Sequence, residues 1–252
     1  MEVKPSKGIP QYHVSQSRSD ILPKLPARVI VASPSGGGKT VLITQLLLDP
    51  NFYRGKFEKI YYFSASATVD SNLLPLKAYC EEHLEQGEDD PCLYDSWDQD
   101  VLTGIMDKQK SVTEFLKHKK RTMMSIAIIC DDFADNPKVV RKGILDTLFV
   151  RGRHFNITTI VASQKYRLLS PVIRVNATAL FVFKLRNRSD LQAVIEENSA
   201  LLDTKTLMRM YQAATTEPFS FLYIDLTAHE VDTMFYRSFL SRLQVRSSQN
   251  LP

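Results

Sequence analysis

Apolar residues in this 252-residue chain are grouped into short continuous runs separated by longer stretches of helical spacing. Runs rich in β-branched and aromatic residues predict strands that are buried on both faces of a parallel sheet. Five such runs occupy 29–31, 57–63, 126–130, 157–162 and 177–184. Helical stretches between them predict an α/β fold, because parallel strands need crossover connections.

The spacing of apolar positions predicts a helix after most of these strands. The clearest runs from about 99 to 117, and a shorter one from about 204 to 214. Two further strand patterns near the C-terminus predict an antiparallel hairpin at the sheet edge. Three further helices are predicted: an irregular one at 73–85, one opened by Asn136 and Pro137, and one from a capping box at Ser189 through Glu197. The segments 86–98 and 165–176 are predicted as loops.

Composition agrees with one ordinary globular α/β domain. Hydrophobic residues make up 44% of the chain, charged residues 24%, and the net charge is +4. We expect the chain to be cytosolic in character for three reasons. Its three cysteines show no paired spacing, it has no apolar run of membrane-spanning length, and its N-terminus has no apolar signal core. We expect residues 1–26 to be a loosely attached arm, 27–242 to be the domain, and 243–252 to be a flexible tail.

Between the first strand and the first helix lies a glycine-rich segment that indicates phosphate binding. Glycines let backbone N–H groups approach phosphate oxygens, and the helix N-terminus adds free N–H groups and a positive dipole end. Lys39 is expected to reach the β- and γ-phosphates, and the Thr40 hydroxyl to ligate Mg²⁺. The pattern departs from the usual one at its first position, where Ser33 replaces glycine. The nucleotide-binding candidates are Ser33, Pro34, Ser35, Gly36, Gly37, Gly38, Lys39 and Thr40.

Two acids end the strand run at 126–130. A buried carboxylate needs a partner, and in a protein with a phosphate-binding loop that partner is Mg²⁺. We expect Asp131 to hold the ion opposite Thr40, and Asp132 to orient and deprotonate the attacking water. The alternative is a strand end closed by a polar turn.

Gln164 follows the strand run at 157–162 and is the candidate sensor of the γ-phosphate. At the tip of a strand beside the acid-tipped one, its amide can bond the phosphate or the water. An ordinary turn residue remains the alternative.

An extra strand, 57–63, separates the phosphate loop from the acid-tipped strand along the chain. This interval favours a three-layer P-loop NTPase of the RecA-like, additional-strand branch over kinases and small GTPases. Enzymes of that branch typically work as rings in which a neighbour's arginine completes the site, with an effect of roughly 10³–10⁵ on rate.

The ordered motifs carry a resemblance to a known group. The chain resembles the FtsK–HerA superfamily and, within it, the poxvirus-type genome-packaging ATPases of large double-stranded DNA viruses and virophages. A sensor Gln, a loop, Arg174-x-Asn176 and then an apolar strand are similar to the FtsK arrangement. The matching segments are SPSGGGKT (33–40), IAIICDD (126–132), RGRHFNITTIVASQ (151–164) and LLSPVIRVNATALFVFKL (168–185).

The resemblance implies ATP and Mg²⁺ as cofactors, a homo-oligomeric ring around double-stranded DNA, and hydrolysis that drives DNA into a capsid. It also implies capsid or portal-vertex partners and the host cytoplasm as the location, with virion association left open. For the arginine acting in trans, Arg153 is the first candidate and Arg174 the second; Arg151, Arg186 and Arg188 stay open. Two other functions also remain: an ATPase motor of the same superfamily that moves another cargo, as in conjugation or protein secretion, and a nucleotide-binding assembly protein with little turnover.

Overall fold

A single nine-stranded sheet organises the computed structural model, which describes residues 13–119, 122–131, 133, 143–200 and 202–244. The strands are β1 Arg28–Ala32, β2 Lys59–Ser64, β3 Leu93–Tyr94, β4 Ile126–Asp131, β5 Ile157–Ser163, β6 Ala179–Phe183, β7 Phe221–Asp225, β8 Phe235–Arg237 and β9 Ser241–Arg242. Their order in the sheet is β3-β2-β4-β5-β1-β6-β7-β8-β9. Pairing is parallel from β3 to β6 and antiparallel from β6 to β9. The predicted α/β class, with its mainly parallel sheet and C-terminal hairpin, is confirmed.

Helices cover both faces of this sheet. In chain order they are α1 Lys39–Leu48, α2 Leu74–His83, α3 Gln99–His118, α4 Ile144–Arg151, α5 Pro171–Asn176, α6 Arg188–Glu197 and α7 Thr204–Ala214. The start predicted at Asn136 and Pro137 lies outside the described residues. Among the helices that the structure describes, none is long and apolar enough to cross a membrane.

Three predictions about local structure were wrong. The segment 86–98, predicted as a loop, contains β3, in which Leu93 and Tyr94 pair with Tyr62 and Phe63 of β2. The segment 165–176, predicted as a loop, contains α5, because Pro171 starts the helix and the Ser170 side chain caps it. The Ser170 hydroxyl accepts the Ile173 N–H at 3.2 Å. The capping box predicted at Ser189 is replaced by a cap one residue before α6. There the Asn187 side chain accepts the Ser189 N–H at 2.9 Å.

The sheet separates two hydrophobic cores, one against each of its faces. The helices on one face, the sheet and the helices on the other face therefore form three layers. Alternation along β4 assigns Ala127 and Ile129 to one core, and Ile128 and Cys130 to the other. The first core also receives buried apolar residues of α1 and α2, and the second receives buried apolar residues of α3, α4 and α7. This arrangement explains why the strand runs are continuously apolar.

The N-terminal segment does not behave as a loosely attached arm where it is described. Leu22 and Leu25 are each 5% exposed and belong to the core beneath α1. The buried Tyr53 hydroxyl donates to the Pro23 carbonyl at 2.5 Å. Residues 13–26 are therefore part of the packed domain, and the expectation for them was wrong. A few scattered apolar side chains among prolines form no periodic pattern, although they are enough to fill a surface groove.

The sheet order decides which strand ends are neighbours. β5 lies between β1 and β4, whereas β2, the extra strand along the chain, lies beyond β4. In register, Ala32 of β1 pairs with Ser163 of β5, and Asp131 of β4 pairs with Ala162 of β5. The carboxyl ends of β1, β5 and β4 therefore form one edge, the place where open α/β sheets bind ligands.

Candidate nucleotide-binding site

The glycine-rich loop connects β1 to α1 at this carboxyl edge. Gly36 has a φ of 73° and Gly38 a φ of 99°. This left-handed conformation favours glycine. The Gly37 N–H donates to the Pro34 carbonyl at 3.0 Å, which closes the turn. Because no side chain among the described residues caps the N-terminus of α1, its first backbone N–H groups can serve an anion.

Ser33 is built into the loop's entry rather than into its phosphate-facing part. It is fully buried, and its hydroxyl donates to the Pro34 carbonyl at 3.2 Å. Its backbone N–H donates to the Ser163 carbonyl at 3.1 Å, which ties the end of β1 to the end of β5. A Cβ on Gly37 would overlap the Ser33 hydroxyl and approach the Pro34 carbonyl to 3.0 Å. The Ser33 hydroxyl therefore occupies space that only a glycine at position 37 leaves open.

Lys39, Thr40 and Asp131 meet at the carboxyl edge. The Lys39 ammonium lies 3.3 Å from Asp131 Oδ1, and the Thr40 hydroxyl donates to Asp131 Oδ2 at 3.3 Å. Asp131 is 1% exposed and Lys39 is 7% exposed. A buried carboxylate of this kind is stable only beside a cation and hydrogen-bond donors. The structure thus brings together residues that lie on distant parts of the chain.

Tyr62 is a partner of Asp131 that the sequence pattern did not reveal. Its hydroxyl donates to Asp131 Oδ2 at 2.8 Å, and the side chain is fully buried. Burial and, secondarily, the Asp131 charge raise the pKa of Tyr62 well above its usual value, so the hydroxyl stays protonated. Strand alternation is the feature that places the two side chains together: Tyr62 pairs with Ile129, which shares a sheet face with Asp131. The contact between Tyr62 and Asp131 can be predicted only when the register of β2 against β4 is known.

Gln164 follows β5 directly beside β4, as predicted, and its side chain is exposed. The Ser163 hydroxyl fixes the turn by accepting the Lys165 N–H at 3.1 Å and donating to the Lys165 carbonyl at 2.9 Å. Asp132 lies outside the described residues. Its chain neighbour Asp131 ends β4 at the same edge.

Arg153 lies at the opposite edge of the sheet from the phosphate loop of its own chain. It belongs to a short 3-10 helix, Gly152–Phe155, that precedes β5. A strand of this length spans about 20 Å. Arg28, at the start of β1, has a pKa lowered by burial and by the nearby Arg153 guanidinium. Arg153 is exposed, and the length of β5 separates it from the phosphate loop of its own chain.

Arg174, the second candidate, is held inside its own subunit. Its guanidinium lies 3.1 Å from the Glu197 carboxylate and donates to the Leu169 carbonyl at 2.9 Å. It also lies over the Tyr166 ring, 5.5 Å from the centroid. These contacts stabilise the loop between β5 and β6. Arg186 and Arg188 are both exposed just after β6, and Arg151 is exposed at the end of α4.

The residues present are suited to a magnesium–nucleotide complex. Thr40 and Asp131 supply the hard oxygen donors that Mg²⁺ prefers, and such sites usually use one or two protein ligands with phosphate oxygens and waters. Lys39 adds a positive charge next to the uncapped N-terminus of α1. A triphosphate in the loop would therefore have donors for its oxygens and ligands for its metal.

Comparison with known proteins identifies the family. The chain matches the family model described as Poxvirus A32 protein over residues 14–224. The chain belongs to this family. It is 22% identical over 204 residues to the uncharacterised protein 075L of Invertebrate iridescent virus 6, a match covering 81% of this chain and 72% of that protein. It is 25% identical over 207 residues to protein 088R of Invertebrate iridescent virus 3, covering 82% and 70%.

Solved structures share the fold of this member of the Poxvirus A32 family. The genome-packaging NTPase B204 from Sulfolobus turreted icosahedral virus 2, in complex with ATPγS, has a TM-score of 0.53 at 18% identity, covering 81% of this chain and 95% of that chain. The pCW3 conjugation coupling protein TcpA has a TM-score of 0.56 at 14% identity, covering 92% and 70%. The predicted resemblance to poxvirus-type packaging ATPases is thus confirmed.

Proposed function

We propose that this member of the Poxvirus A32 family is an ATP-hydrolysing motor that moves double-stranded DNA into a viral capsid. The observation that carries the proposal is the cluster of Lys39, Thr40 and Asp131 at the end of a glycine loop. It occurs in a chain whose fold matches that of a viral genome-packaging NTPase. The cluster supplies phosphate and metal ligands, and the family supplies the packaging context.

Each side chain has a distinct role in the proposed hydrolysis. Lys39 would bind the β- and γ-phosphate oxygens, while Thr40 and Asp131 would hold Mg²⁺, which would supply positive charge to offset the charge that develops on the phosphate. Tyr62 donates to Asp131 and fixes the orientation of its carboxylate. Asp132 accepts a proton from the attacking water. Gln164, on the neighbouring strand end, bonds the γ-phosphate or the water and so reports hydrolysis.

The partners follow from the same proposal. The chain assembles as a homo-oligomeric ring around duplex DNA in the host cytoplasm and delivers the DNA to capsid or portal-vertex proteins. An arginine of one subunit reaches the phosphates of its neighbour. The exposure of Arg153 and its distance from its own loop support this role, whereas the internal contacts of Arg174 favour a structural role.

ATP hydrolysis should be measured with and without duplex DNA at several salt concentrations. We expect stimulation by DNA that weakens with salt, because phosphate contacts release counterions. Lys39→Ala and Asp132→Asn should each abolish turnover, while Lys77→Ala, which removes an exposed ion pair with Glu81, should not. Activity that ignores DNA at every salt concentration would refute DNA translocation.

A mixing experiment tests the arginine. Subunits carrying Arg153→Ala have an intact phosphate loop, and subunits carrying Lys39→Ala have an intact arginine. Mixed rings should therefore recover part of the hydrolysis that each variant lacks. No recovery at any ratio would contradict Arg153 as the residue acting in trans, and the same mixture with Arg174→Ala provides the comparison.

A motor with another cargo is the second candidate. The fold likeness to the conjugation coupling protein TcpA covers 92% of this chain and favours it. ATPase stimulation by a substrate other than the viral duplex DNA would support that function. Multiple turnover by the purified chain would exclude the third possibility, a nucleotide-binding assembly protein with little hydrolysis.

A further inference from the structure

A groove of about 470 Å³ opens beside the phosphate loop, at the carboxyl end of β6. Gly36 and Gly37 form one wall, and the turn at 216–220, before β7, forms the other. Phe183, the last residue of β6, belongs to the floor and is 3% exposed. The volume lies in the range of pockets that hold small ligands.

The sheet order gives the direction in which a nucleotide would extend. Asp131 and Gln164, the groups assigned to the metal and the γ-phosphate, follow β4 and β5 on one side of β1. β6 lies on the other side of β1. A triphosphate whose γ end lies toward β4 and β5 therefore has its nucleoside end toward β6, where the groove lies.

Phe219 is the unusual residue of this groove. It is 70% exposed, although its ring contacts the loop: a Cβ on Gly38 would lie 3.2 Å from the ring. Its φ is 61°. That value is unfavourable for a bulky side chain, and such strain concentrates at functional sites. The Ser220 N–H and hydroxyl hold the turn by donating to the Glu217 carbonyl at 3.2 and 2.7 Å, so the backbone keeps an exposed aromatic ring beside the phosphate loop.

We infer that this groove is the nucleoside subsite and that the Phe219 ring stacks on the base. The inference rests on the proposed ATPase function and adds the residue that recognises the base. Aromatic rings bind bases through their π-faces, largely without regard to base identity. Lys184 and Arg186 line the same groove and supply positive charge near the sugar and α-phosphate.

Calorimetric titration with ATP and with inorganic tripolyphosphate, both with Mg²⁺, separates the two parts of the site. Phe219→Ala should weaken ATP binding roughly 5- to 150-fold, the range for losing one stacked base. It should leave the tripolyphosphate affinity unchanged, and Phe219→Trp should restore ATP binding. Phe115→Ala removes an aromatic ring that is 56% exposed on α3, far from the loop along the chain, and should change neither affinity.

The outcomes distinguish this inference from the proposed function. If the wild-type chain binds neither ligand, both fail. If it binds ATP, and Phe219→Ala binds ATP equally well, the subsite assignment alone is overturned. If tripolyphosphate binding falls together with ATP binding, the ring supports the loop rather than the base. Phe219→Gly, which accepts a positive φ without strain, repeats the test should the alanine variant prove unfolded.

Discussion

Replacing Tyr62 with phenylalanine is the most informative single test of the magnesium site. The change removes only the hydroxyl that donates to Asp131 at 2.8 Å, and the ring remains in the core. A hydrogen bond to a buried charge contributes about 1.5–3 kcal/mol. Because Thr40 and Lys39 still contact the carboxylate, we expect the low end, about 1.5 kcal/mol of unfolding free energy. For a chain of this length that lowers Tm by roughly 3–6 °C.

The functional effect should exceed the effect on stability. Groups that orient metal ligands typically alter metal affinity by about 10- to 100-fold, so the Mg²⁺ concentration for half-maximal ATPase activity should rise about tenfold. Tyr61→Phe is the matched control. Its hydroxyl donates to Asp90 at 3.1 Å, and its side chain belongs to the opposite core. This control should lower Tm slightly and leave the Mg²⁺ dependence unchanged.

The measurement is a magnesium titration of steady-state ATPase activity for wild type and both variants at one pH. If Tyr62→Phe keeps the Mg²⁺ dependence and the Tm of the wild type, the claim that Tyr62 positions Asp131 is refuted. A large shift that Tyr61→Phe shares would refute its specificity.

Three further predictions concern the loop, the N-terminal segment and alkaline stability. Gly37→Ala should abolish ATP binding, because its Cβ would overlap the Ser33 hydroxyl. Gly104→Ala, in open space within α3, should bind ATP normally and raise the free energy of unfolding by about 1 kcal/mol. Calorimetry compares the ATP affinities of the two variants, and thermal melts compare their stabilities. Leu22→Ala, at a buried position, should lower the free energy of unfolding by about 2–4 kcal/mol in denaturant titration, and an unchanged free energy would contradict the packing of the segment. Burial raises the pKa of Tyr53, Tyr62, Tyr166 and Tyr223 in the folded chain. Above about pH 10 these tyrosines therefore ionise first in the unfolded chain, and the free energy of unfolding should fall with rising pH. A free energy of unfolding that stays constant across that range would contradict the expectation.

The phosphate loop could be read from the sequence because its information is local. Glycine at positions 36 and 38 permits the left-handed turn, and Lys39 and Thr40 open the helix that follows. The alternation of apolar strands and helices was equally readable, since burial on two faces makes each strand apolar throughout. Both features depend on residues that are close together along the chain.

The short helix at 171–176 and the packed segment at 13–26 were missed for the opposite reason. Each has too few apolar residues to form a periodic pattern. Leu22 and Leu25 acquire their meaning only from the groove that the folded domain offers them. Helix α5 depends on one cap and one proline rather than on spacing.

By itself the sequence determined the class of the sheet, the glycine loop and the acid at the end of β4. Only the tertiary structure decided that β5 separates β1 from β4, that Arg153 lies at the far edge, and that Tyr62 contacts Asp131 from 69 residues away. The physical reason is that backbone propensity and periodicity act between near neighbours in the chain. Strand order and register are set by pairing between distant segments, and they decide which side chains meet.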